Sequence, residues 1–308
     1  MLLYNTGNVA AEAAAPKKDI TGGYMELRLC AFADEAARSL DGQIDALTRN
    51  GIGLIEVRGI DGKNVSDFTP DEAKKYADAL RAAGIRVYSL GSPLGKTRLS
   101  DDFKAERERL DRLIRTAHIF GCRNIRMFSF YAGPDGFDRD TVLNRLGYFV
   151  CRAADGGIVL CHENEKDIYG DIPSRVADIL DSIGGLKSVY DPANYLQCGV
   201  SADESMPLVD RAEYLHIKDV IAATGEVVPA GCGDGRIGDV IDRFGRDGVL
   251  TVEPHLRVFD GYNEIDGTEL KNKYSFATAA EAFDCAVGSL KKILSDRGFT
   301  EKEGIWTR

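Results

Sequence analysis

Residues 157–165, GIVLCHENE, open on an apolar run and close on four polar residues, His162, Glu163, Asn164 and Glu165. A short run rich in Val, Ile and Leu reads as a strand buried on both faces, which is the habit of parallel sheets. Seven further runs share the pattern: Glu26–Phe32, Gly53–Arg58, Ile85–Leu90, Asn124–Phe130, Leu186–Asp191, Ala212–Ile217 and Val249–Pro254. Their starts lie 26 to 39 residues apart, room for one strand and one returning helix each.

Helix signals fall between the runs. Thr69, Pro70 and Glu72 form a capping box with proline at the first helical position, and Ala73, Tyr76, Ala77 and Leu80 then share one face. Phe103, Leu110, Leu113, Ile114 and Ala117 keep helical spacing after Asp102, and Phe283, Val287, Leu290 and Leu294 do so near the C-terminus. Gly51, Gly84 and Gly121 stand where helices should stop. Eight alternating units close into a (β/α)8 barrel or lie open as a doubly wound sheet. The number eight, and the lack of GxGxxG after the first run, favour the α/β barrel. Residues 1–24 read as a loose extension and residues 25–308 as one barrel domain.

Bulk properties narrow the function. The formal charge of -10 opposes a nucleic-acid partner, which needs a basic face. No apolar run reaches the length of a membrane span. Seven cysteines without a CxxC pair suggest neither a disulfide framework nor a zinc knuckle, so a cytoplasmic setting is expected.

In a barrel of this kind the strands' C-terminal ends build the active site. The fifth strand closes on His162, Glu163, Asn164 and Glu165, the sixth on Asp191 with Asn194, the seventh on His216, Lys218 and Asp219, and the eighth on Glu253 and His255. Singly, such residues are ordinary caps or rim groups. Together, Glu163, Asp191, His216 and Glu253 would place three carboxylates in one mouth, a costly arrangement that a bound cation relieves. Three oxygens and one nitrogen suit Mn2+ best, with Mg2+, Co2+ or Zn2+ as alternatives.

The motifs LCHENE, YDPANY, YLHIKD, VPAGCGDG and VEPHL, in this order, resemble the xylose isomerase-like TIM barrels, the sugar phosphate isomerase/epimerase family that also includes endonuclease IV. The resemblance spans roughly residues 26–297 and implies the same four ligands, with Glu163 and Glu253 also moving protons. It departs at Asn194, where many relatives carry histidine, so a substrate contact is altered there.

The expected activity is metal-dependent isomerisation or epimerisation of a keto-sugar or sugar phosphate through an enediolate. Glu163 and Glu253 are the base and acid, and Lys218 stabilises the developing oxyanion. Arg58, Asn194, His162, Glu165 and His255 are the candidate substrate contacts. For Arg58 the alternative is an ion pair with Glu56 or a neighbour. A lyase on a 3-oxo-sugar, similar to inosose dehydratases or to the catalytic subunits of C-glycoside deglycosidases, is the rival reading, and a non-catalytic metal-bearing subunit is a third. The partners expected are a small carbohydrate and further copies of the chain as a homo-oligomer, with a partner subunit in the lyase case. The glycine-rich segment 221–235 reads as a tight loop rather than a phosphate cradle. The long stretch 257–274, with Phe259, Tyr262 and Tyr274, reads as a lid or contact arm.

Overall fold

The computed structural model describes residues 24–132, 136–257 and 274–308. Almost all of the extension read over 1–24, together with Phe259 and Tyr262 of the expected lid, lies outside the described residues.

Each apolar run becomes a strand: β1 Glu26–Ala31, β2 Leu54–Val57, β3 Arg86–Gly91, β4 Asn124–Met127, β5 Val159–Glu163, β6 Lys187–Tyr190, β7 Ala212–Ile217 and β8 Gly248–Val252. Neighbours in sequence pair in parallel all the way round, and β8 pairs with β1 from Leu27↔Gly248 to Ala31↔Val252. The sheet is therefore closed, and the barrel has no open edge to protect.

The helices sit outside: α1 Leu40–Arg49, α2 Pro70–Ala82, α3 Phe103–Phe120, α4 Arg139–Asp155, α5 Pro173–Ser182, the short α6 Pro192–Gln197, α7 Ile237–Phe244 and α8 Ala279–Asp296. Local chemistry sets their ends. Thr69 Oγ1 accepts from Glu72 N, Glu72 answers at Thr69 N, and Asp102 and Gly121 cap α3 as its spacing predicts. Ala73, Tyr76, Ala77 and Leu80 are all buried, so this face of α2 packs on the sheet.

Period two decides what enters the barrel. Cys30, Leu54, Cys161, Val189, Tyr214 and Val249 form a closed apolar layer inside it. Two residues further along the strands come Glu56, Glu163, Asp191, His216 and Thr251, all buried. Charge thus begins one layer above an apolar one.

Two details depart from the sequence reading. The fourth run extends to Phe130, yet β4 stops at Met127, because Phe128 N and Phe130 N turn to donate to Leu94 O and Gly95 O of the β3–α3 loop. The chain after α8 adds an unforeseen hairpin, β9 Thr300–Lys302 and β10 Ile305–Thr307, whose second strand pairs antiparallel with β1. Between β7 and α7 the glycine-rich loop carries a small hairpin, and the Gly231, Gly233 and Gly235 amides then donate to the Asp219 carboxylate. A Cβ at Gly233 would lie 2.4 Å from Asp219 Oδ1, so glycine is required for that approach.

Candidate metal centre

Four strand ends bring Glu163, Asp191, His216 and Glu253 together: one ligand atom from each lies within 4.8 Å of the others, and all four residues are buried. Glu163 ends β5 and His216 lies within β7. Glu253 follows β8, its amide still donating to Ile217 O of β7. Asp191 follows β6 and caps α6, Oδ1 accepting from Asn194 N, which leaves Oδ2 turned to the cluster.

His216 is held from both sides. Nδ1 lies 2.9 Å from Glu163 Oε1 and 3.4 Å from Glu253 Oε2, while Nε2 lies 3.2 Å from Glu56 Oε2. Lys218 Nζ reaches Asp191 Oδ2 at 3.1 Å and Glu253 Oε2 at 3.6 Å. Asp191 Oδ2 and Glu253 Oε2 are nevertheless buried without a hydrogen bond. Burial, reinforced by Glu253 and Glu163 and opposed by Lys218, pushes the Asp191 carboxyl up to about 7. Burial also works against charge on His216, but the Glu163 and Glu56 carboxylates hold its pKa well above the imidazole range. Lys218 and His216 in turn hold the Glu253 carboxyl well below the carboxylate range against its burial, and carboxylate oxygens converging beside an imidazole nitrogen are a donor set that fits a divalent cation. The cavity above the cluster measures about 10 Å3, room for an ion or a water molecule.

The remaining candidates divide. Asn194, Glu165, Lys218 and His255 line this cavity with Lys96 and Arg126. Asn194 Nδ2 donates to Glu163 Oε1 (3.3 Å) and to Asn164 O (2.9 Å), so it steadies a cluster carboxylate. Glu165 pairs with Lys96 at 2.9 Å across the cavity mouth. His255 has φ +43° and donates its amide to Glu35 Oε2 at 2.6 Å. Its Nε2 lies 3.5 Å from Glu253 Oε1.

Two candidates lie apart from the cavity. His162, next to Glu163, occupies the opposite face of β5, where Nε2 meets Ser129 Oγ at 2.9 Å and burial lowers its pKa to about 3. A Cβ at Gly170 would meet its ring at 2.3 Å, so a bare glycine backbone packs over it. Arg58 is buried and engaged by Asp34 (2.9 Å), Glu35 (3.0 Å) and Glu253 (3.3 Å). Of the ion-pair partners expected for it, Glu56 or a neighbour, Glu56 is instead bound by His216, Tyr214 Oη (2.9 Å) and Thr251 Oγ1 (3.2 Å). Glu35, Glu253 and His255 also offer atoms within 4.8 Å of one another, but the Arg58 guanidinium already serves two of them.

Sequence reasoning missed Glu35, Lys96 and Arg126 as members of this environment and did not place Glu56 in it. Arg126 Nε lies 3.2 Å from Glu163 Oε2, and its guanidinium lies 4.6 Å from the Phe128 ring centre. The available signal was a charge inside an apolar run, as in GLIEVR and NIRMFSF.

Comparison with known proteins places this geometry in context. The probable 3-DHS dehydratase AsbF from Bacillus anthracis superposes with TM-score 0.66 at 17% identity, covering 86% of this chain and 98% of that one. The IOLI protein, solved with a zinc atom, gives 0.66 at 15% identity, covering 87% and 98%. D-allulose 3-epimerase from Methylomonas sp. gives 0.66 at 16%, also covering 87% and 98%. No curated protein matches the chain by sequence. At these identities the structures establish a common fold. Residues 44–272 match the family model described as the xylose isomerase-like TIM barrel, and the chain belongs to that family.

Proposed function

We propose that this chain is a divalent-metal-dependent enzyme that isomerises or epimerises a sugar or keto-sugar by moving a proton at carbon. The observation that carries the reading is the convergence of Glu163, Asp191, His216 and Glu253, where Asp191 Oδ2 and Glu253 Oε2 meet only ion-pair contacts and no hydrogen bond. Mn2+ is the preferred ion for three carboxylates and one imidazole, with Mg2+, Co2+ or Zn2+ as alternatives. The zinc atom in the IOLI structure supports a cation here, and the D-allulose 3-epimerase supports the reaction class.

A cation held by these four residues would polarise a substrate carbonyl and its neighbouring hydroxyl, easing loss of the proton between them. The chain's own groups do the rest. Glu163 and Glu253 line the cavity and take and return the proton. Arg126 and Asn194 fix the orientation of Glu163, as Arg58 fixes that of Glu253. Burial opposes the charge on Lys218, yet Asp191 and Glu253 keep it protonated, ready to donate to an oxygen that gains negative charge. Lys96 and Glu165, the more exposed charged groups of the lining, must part to admit substrate.

A lyase reading has a specific support, since AsbF shares the fold over 86% of this chain and is described as a probable dehydratase. Product mass separates the two: an isomerase leaves it unchanged, and a lyase removes water or a larger group. In either case Glu253→Gln should lower kcat by roughly 10²- to 10⁴-fold while circular dichroism stays native. Undiminished turnover in that variant would remove Glu253 from proton transfer.

A further inference from the structure

We propose that the cleft beside the acidic cluster is a second subsite, built for a hydroxylated ring joined to the sugar at the cluster, so that the substrate is a two-ring conjugate. The inference rests on the sugar-processing reading above and narrows its substrate class. The cleft measures about 720 Å3 and is lined by Arg98, Ser100, Tyr131, Phe137, Asp167 and Asp171. That volume lies within the range of small-molecule sites, whereas the cavity at the cluster holds little more than an ion.

The same three loops make both cavities. The segments after β3, β4 and β5 line the inner cavity with Lys96, Phe128 and Glu165, and the outer cleft with Arg98, Tyr131 and Asp167. The members of each pair lie two or three positions apart in the chain. On this proposal, a ligand extending from the cluster between Lys96 and Glu165 runs along these loops into the outer cleft.

The loops are locked to one another rather than free. Tyr131 N donates to Thr97 O at 2.9 Å, Phe130 N to Gly95 O at 2.9 Å, and Tyr169 N to Phe130 O at 3.1 Å, while Tyr131 also bridges to Ile168. Phe130 and Asp167 are held at φ +67° and +64°, a left-handed backbone that non-glycine residues adopt at a cost and that concentrates at ligand-binding positions. Tyr131 and the face of Phe137 opposite the Arg175 guanidinium, which lies 4.9 Å from its ring centre, supply aromatic surface for the apolar face of a ring, and Phe137 is braced edge-on by Tyr169 with centres 5.7 Å apart. Asp167 would accept hydrogen bonds from ring hydroxyls and Arg98 and Ser100 would donate them, while Asp171 is held by Arg175 Nη1, which donates to its two oxygens at 2.8 and 3.0 Å. An aryl group and a second sugar share this chemistry.

Saturation-transfer NMR and calorimetry on the Mg2+-loaded protein test the assignment. The probes are a panel of common sugars, each as methyl glycoside, p-nitrophenyl glycoside and disaccharide. At least one sugar should bind roughly three- to tenfold more tightly as a ring conjugate than as its methyl glycoside. Saturation should reach the second ring, and comparison of the p-nitrophenyl and disaccharide arms tells an aryl from a glycosyl occupant. Phe137→Ala should abolish the gain and leave methyl glycoside binding unchanged. Asp167→Gly removes the carboxylate while keeping the backbone angle accessible, and it should reduce the gain as well. Equal affinities throughout the panel, or a gain that survives both variants, would overturn the subsite. Cation binding is read separately in the same samples: its absence would refute the catalytic reading, whereas ring preference tests only the cleft.

Discussion

At the scale of the residue, His216 shows how a side chain is prepared for its task. One ring nitrogen faces Glu163 and Glu253, and the other faces Glu56, a fully buried carboxylate that also accepts from Tyr214 and Thr251. An outer carboxylate on one imidazole nitrogen fixes the ring and the tautomer presented by the other. Glu56→Gln keeps the shape and removes the charge, and calorimetric titration with Mn2+ should show affinity falling about 10- to 100-fold. Unchanged affinity would make Glu56 a packing residue only. The sequence identified the cluster residues because each closes an apolar run. It could not identify Glu56, Arg126 or Glu35, whose importance depends on which neighbouring strand they face. His162 illustrates the converse: adjacent to Glu163 in the chain, it belongs to the other face of β5 by strand alternation, and no spacing rule reveals that Ser129 awaits it there.

At the scale of the element, ends matter more than interiors. The α2 start was legible in full because its capping box is local: Thr69 and Glu72 need only each other. Thr69→Ala should cost about 1 kcal/mol in a urea titration. Lys63, followed by the Thr69 amide, holds the Glu72 carboxyl at about 2, below its ordinary 4.5. A depressed carboxylate stabilises the fold above its unfolded value and loses that effect as pH falls through its folded value. The thermal-midpoint gap between the natural protein and Glu72→Gln should therefore be full above about pH 5 and close toward pH 2; a gap independent of pH would deny the ion pair its part. The loop after β7 was legible as a tight turn but not in its purpose. Its amides wrap the Asp219 carboxylate, a contact set by tertiary approach. Gly233→Ala, whose Cβ would fall 2.4 Å from both Asp219 Oδ1 and Val220 O, should destabilise by about 1–3 kcal/mol. A neutral result in the same urea titration would show that the loop yields freely.

At the scale of the molecule, closure of the barrel does the essential work. The eight runs were readable because parallel strands are apolar on both faces, and the order of the units left little topological choice. The hairpin β9–β10 was not readable, since TEK and IWT are only three residues each and TEK is polar throughout. Successive pairing sets β5 to β8 side by side and closure curves them inward, so that residues 90 positions apart in the chain, Glu163 and Glu253, approach the same histidine nitrogen. On the proposed function, these four strand ends share one cation. Anomalous scattering from crystals grown with Mn2+ tests it most directly. One peak per chain, within bonding distance of Glu163, Asp191, His216 and Glu253, is the predicted result. A fully described barrel with no peak there, or with its peak elsewhere, would contradict the claim.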